Sequence, residues 1–86
     1  MHEFSLIANL IKKIESLAKE HPGRKIVVVN VTLGALSHIS ASHFREHFVE
    51  ASAGTAAQGA KLRVKSKSDM SDPHAQEIIL ESVELE

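Results

Sequence analysis

Lys25-Ile26-Val27-Val28-Val29-Asn30-Val31-Thr32-Leu33 is dominated by β-branched residues, which suit the pleated, half-buried surface of a strand. Val27, Val29, Val31 and Leu33 fall on one face by alternation. Ile26, Val28, Asn30 and Thr32 fall on the other, which is only half polar. Gly34 ends the strand. On the N-terminal side, residues 3–20 read as an amphipathic helix. Leu6, Ile7, Leu10, Ile11, Ile14, Leu17 and Ala18 recur at intervals of three and four and form one apolar stripe. Glu3 and Lys19 suit the two poles of that helix, and His21-Pro22-Gly23 stops it. On the C-terminal side, Ser40 has the chemistry of an N-cap, with Ile39 and Phe44 at hydrophobic-staple spacing. The second helix is expected over about 41–53, with Phe44, Phe48 and Ala51 facing inward and Gly54 beyond its end.

After Gly59 the alternation returns. Ala60, Leu62 and Val64 oppose Lys61, Arg63 and Lys65. Residues 66–75 are a polar turn, and residues 76–85 a last strand. In that strand Ile78 and Leu80 fall out of phase with Ile79, Val83 and Leu85. A bulge or a face buried twice would explain the mismatch. The order α-β-α-β-β predicts an α+β fold in which two helices pack on one face of a three-stranded sheet. The second and third strands, being near in sequence, are expected to pair as an antiparallel hairpin. The uncovered face would then carry Ile26, Val28, Ile78 and Leu80. That face or a free strand edge would support self-association or dock a partner.

Eighty-six residues make one domain, and a chain this short buries only about 60–65% of its unfolded surface. A net charge of −1 gives no electrostatic case for nucleic acid or an anionic membrane. With no Trp, no Tyr and three Phe, base-stacking platforms are not expected either. Asn9, Lys12, Lys13 and Glu15 interrupt the N-terminal apolar residues, so neither a signal peptide nor a membrane span is expected, and the chain is expected in the cytoplasm. No cysteine is present, which removes disulfides, a thiol nucleophile and Cys-based zinc sites. No acid–base pair, Ser-His-Asp order or phosphate loop stands out, so no enzyme activity is expected.

Six histidines are the compositional figure that points toward metal. One of them follows Met1 directly. In Met1-His2-Glu3 the Met1 α-amine, the His2 amide and the His2 imidazole stand in chelating order and close nearly planar fused rings. Planar nitrogen sites favour Ni(II) or Cu(II) over zinc. The bland alternative is a frayed, solvated terminus. His43 and His47, four apart on the second helix, could hold a metal between two imidazoles, although two ligands alone make an incomplete site. His21 and His38 sit at turns. His74 could supply a distal nickel ligand if its turn approaches the terminus.

Met1-His2-Glu3-Phe4-Ser5-Leu6, the strand and turn at residues 29–37, the block His43–Phe48 with Gly54-Thr55 and Gln58–Leu62, and the ending Leu80–Glu86 follow one another in collinear order. Together they resemble the HypA/HybF family of hydrogenase nickel-incorporation proteins. That resemblance implies a metallochaperone that delivers Ni(II) to a maturing [NiFe]-hydrogenase or a related nickel enzyme. It implies as partners the GTPase HypB or a nickel-enzyme precursor, with a homodimer as a further expectation. Carried over, the metal residues are Met1, His2 and Glu3, with Glu3 acting chiefly through its amide. The family also carries a zinc domain with two Cys-x-x-Cys pairs. Here a short turn near 68–75 stands in its place, so no zinc is expected. The alternative reading is a zinc-less interaction module that docks a maturation GTPase without binding metal. A weaker one is a histidine-based metal sensor or buffer.

Overall fold

The computed structural model describes the backbone of residues 2–86 and the side chains from Ser5 onward. Five elements follow in the expected order: α1 (His2–Glu20), β1 (Ile26–Leu33), α2 (Ala41–Ser52), β2 (Lys61–Ser66) and β3 (Ile78–Leu85). The apolar stripe of α1 is buried at Ile7, Leu10, Ile11 and Ile14. On α2 the Ser40 hydroxyl accepts the His43 amide at 3.2 Å, as an N-cap should. Phe44 and Phe48 are buried. Their inward companion is Ser52 and not Ala51, which is exposed. Ser52 tolerates burial because its hydroxyl donates to the Val49 carbonyl at 3.0 Å, leaving no orphaned polar group.

The sheet order is β2-β1-β3, which corrects the expected hairpin. β2 and β3 do not pair with each other. β1 lies between them, parallel to β2 and antiparallel to β3. The reason is compositional and topological. β1 is the one strand apolar enough to be covered on both faces, with Val28 and Thr32 buried as well as Val29 and Val31. β2 alternates with Lys61, Arg63 and Lys65, and β3 with Glu81 and Glu84, as befits edges. Parallel pairing needs a crossover of a dozen or more residues, and α2 supplies it between β1 and β2.

Two bulges set the phase. Ile26 pairs with Leu85 and Val28 with Glu84, so Val27 is an extra residue on β1. Asn30 pairs with Ser82 and Val31 with Leu80, so Glu81 is an extra residue on β3. The first shift turns Ile26 toward the core and takes Val27 out of it, correcting the strict alternation expected of β1. The second puts Ile78, Leu80, Val83 and Leu85 on the core face together, which is the bulge expected for that strand.

The helices therefore cover Ile26, Val29, Val31, Leu33, Leu62 and the inward residues of β3. The opposite face is not the apolar one expected. Ile26, Ile78 and Leu80 are absent from it, and it is dressed with polar pairs. Arg63 meets Glu84 at 3.0 Å across β1, and Asn30 donates to the Ser82 hydroxyl at 3.0 Å.

Residues 67–77 carry the chain from β2 over the end of β1 to the far edge. The Lys67 amide donates to the Leu33 carbonyl, the Gly34 amide to Glu77 and the Leu36 amide to Ala75, at 2.7–2.9 Å. Gly34 is the crossing point. A β-carbon there would stand 2.2 Å from the Ala75 carbonyl oxygen, so only glycine lets the two backbones meet.

Candidate metal centre

The Met1-His2-Glu3 assignment lies outside the described residues: Met1 altogether, His2 and Glu3 in their side chains. The elements around the start of α1 are nevertheless clear. α1 and α2 run in the same direction, since β1 reverses the chain between them. Glu15, late in α1, accepts the Ala56 amide, just past α2, at 3.3 Å. Both helices thus begin at the end of the molecule where β1 finishes. There Leu6 lines a cavity of about 440 Å³ with Leu36, Ser37, His38, Ile39, Gln76 and Ile78. The loop after β1 and the turn before β3 form its other walls.

Backbone chemistry makes this end suited to a nitrogen chelate. The first four amides of an α-helix have no intrahelical acceptor. α1 is helical from His2, so the amides of His2 and Glu3 are not committed to the helix ladder. The positive pole of the helix also favours the negative charge an amide acquires when it deprotonates onto a metal.

The remaining histidines separate by environment. His21 is exposed in the turn that ends α1, where its carbonyl accepts the Arg24 amide. His38 is exposed and holds a left-handed backbone, φ 60°. His74 does not line the cavity beside Leu6. It lies at another, with Thr32, Gly34, Ala35, Lys67, Asp69 and Asp72, and its Nδ1 is engaged by the Glu77 carboxylate at 2.5 Å. That hydrogen bond, and then the charge of Glu77, raise the His74 pKa above its ordinary value. In the same turn Asp69 is held below its ordinary value, because its carboxylate accepts from the Ser71 hydroxyl and amide. The structure gives no support to His74 as a distal nickel ligand. Among the described residues, no three His, Cys, Asp or Glu side chains converge as a metal site. No helix among them is long and apolar enough to cross a membrane.

Sequence reasoning missed Gly34 and Leu36, which hold the turn of residues 67–77 against the end of β1. The signal was the glycine itself, placed at a strand end where it reads first as punctuation.

The class of protein, a nickel-incorporation metallochaperone, comes from comparison with known proteins. A family model described as "Hydrogenase/urease nickel incorporation, metallochaperone, hypA" matches residues 1–71. Hydrogenase maturation factor HypA 2 of Bradyrhizobium diazoefficiens is 38% identical over 64 residues, covering 74% of this chain and 57% of the relative. HypA of Nitrosospira multiformis is 34% identical over 65 residues, covering 76% of this chain and 56% of the relative. Hydrogenase maturation factor HybF of Escherichia coli is 34% identical over 67 residues, covering 78% and 59%. The chain thus spans less than two thirds of the length of these relatives. A solution structure of a HypA protein superimposes with a TM-score of 0.75 at 23% identity, covering 99% of this chain and 96% of that one, a likeness of fold. The chain belongs to the HypA family of nickel-incorporation metallochaperones.

Proposed function

We propose that this chain carries Ni(II) as cargo on its first residues and delivers it during maturation of a [NiFe]-hydrogenase or a related nickel enzyme. The Met1 amine, the His2 imidazole and the amides of His2 and Glu3 supply the planar nitrogen set. The observation that carries the reading is that the family match begins at residue 1, on Met-His-Glu, at the start of a helix. A chelate built on the first residues of the chain suits a carrier, because backbone and imidazole nitrogens can be displaced one at a time by a partner's ligands. The role is carriage without catalysis.

Absence of cysteine supports a second element of the proposal. The chain works as a single domain over residues 1–86, without zinc, with the turn near 68–75 joining β2 to β3 directly. The receiver is a HypB-like GTPase or the nickel-enzyme precursor itself, met in the cytoplasm.

Calorimetric titration of Ni(II) into protein with a native Met1, beside an N-terminally acetylated sample, tests this. Acetylation removes the amine donor. One tight site lost on acetylation, and lost in His2→Ala with the far-UV dichroism unchanged, is the expected result. Equal binding in His2→Ala would overturn the site. Weak binding in every sample would favour the zinc-less interaction module instead.

A further inference from the structure

We infer that the free edge of β2 receives an extended, acidic segment of a partner protein by strand addition. The edge does not depend on the nickel site. β2 is an outer strand, since the sheet order is β2-β1-β3. The Lys67 amide, just past its end, donates to the Leu33 carbonyl of β1 at 2.9 Å. Backbone groups along a strand point alternately to its two sides. Lys61, Arg63 and Lys65 therefore turn theirs toward β1, and Leu62, Val64 and Ser66 turn theirs outward. The Leu62 carbonyl agrees with that phase, because it accepts Arg45 Nη1 at 2.7 Å. Beyond it, Val64 and Ser66 present backbone donors and acceptors to a further strand.

The side chains choose the partner. Lys61, Arg63 and Lys65 are exposed and share the open face of the sheet, and Lys67 is exposed beyond them. Among the described residues Arg63 alone of these four is in an ion pair, with Glu84 across β1. A second copy of β2 laid along this edge would set cation against cation, and like charges directly opposite are destabilising. The acidic edge of another copy is a poor match, because β3 is bulged at Glu81 and a bulge twists an edge away from pairing.

An acidic strand from a different protein meets neither obstacle. Carboxylates at alternate positions fall opposite Lys61, Arg63 and Lys65, where opposite charges stabilise a cross-strand pair. The residues between them fall on the helix side. There Val64 is half-buried, and Val49, one turn beyond Arg45 on α2, is 62% exposed. The segment that fits alternates acidic and apolar residues.

The test titrates a capped peptide of alternating Glu and Val into the isotope-labelled full chain and follows the amide resonances by NMR. The expected result is that Leu62, Val64 and Ser66 shift together and saturate, with affinity falling as salt is raised. The double variant Lys61→Glu with Lys65→Glu, at two exposed positions, should bind at least about fivefold more weakly, with dichroism showing a folded chain. The same peptide N-methylated at every residue keeps its charges but has no ladder donors, and should leave those amides unshifted. Equal binding of the N-methylated peptide overturns strand addition, since it would mean adhesion by charge alone. An unchanged affinity in the double variant overturns the proposal, as do shifts centred on β3 or no shifts at all. So does self-association of the chain through the same amides at rising concentration.

Discussion

At Gly34 the constraint is space, because the Ala75 carbonyl oxygen occupies the position a β-carbon would take. Gly34→Ala is expected to destabilise the domain by about 1–3 kcal/mol, the usual range for overpacking, and urea unfolding would measure it. The loss should come with displacement of residues 67–77, seen as amide shifts at Leu36 and Glu77. His74 shows a different kind of constraint, one that depends on pH. Its pKa is raised by Glu77, so its charge pairing contributes fully below the unfolded value of about 6.5. The contribution fades as pH rises through the higher folded value. NMR titration of His74 should give a midpoint above 6.5 in the native chain, and Glu77→Gln should lower it. The pair is exposed, so its weight in global stability is small. Neither partnership was legible beforehand. Gly34 and Ala75 are far apart in sequence, and nothing in either residue names the other.

Helices were easier to foresee than strands because their signals are local. The α1 stripe and the Ser40 cap depend on residues three and four apart, and both stand in the structure. Ser40→Ala should cost about 0.5–2 kcal/mol, readable by thermal or urea unfolding. Phe44→Ala, removing a fully buried ring that packs beside Phe48, should cost about 3–5 kcal/mol. That is a large part of the 5–15 kcal/mol expected for a whole domain. Strand phase was harder. On β3 the mismatch of Ile78 and Leu80 with Val83 and Leu85 was visible, and a bulge at Glu81 resolves it. On β1 residues 26–29 are all apolar, so no polar residue marks the phase there and the bulge at Val27 left no mark in the sequence. It exists because β3 must pair on that side in the register that buries Leu85 against Ile26.

At the scale of the molecule, one apolar cluster joins both helices to all three strands. Among the described residues that cluster is built from apolar side chains, and no three metal-ligating side chains converge. Chelation with EDTA is therefore expected to leave the melting temperature unchanged, a point calorimetry or dichroism would check. A large drop would reveal a structural ion.

From the residues alone came the five elements and their order, the apolar face of α1, the inward Phe44 and Phe48 of α2, the capping at Ser40, the α+β class, and the family resemblance. All of these rest on short-range periodicity or on the collinear order of motifs. Tertiary structure decided which strand lies at the centre, which face is polar, and what the turn before β3 touches. Those outcomes depend on competition among distant segments for one core. β1 took the middle because it alone could be buried on both faces. The charged alternation of β2 and β3 left them at the edges, and the chain between them then had to cross β1 at the one residue without a side chain.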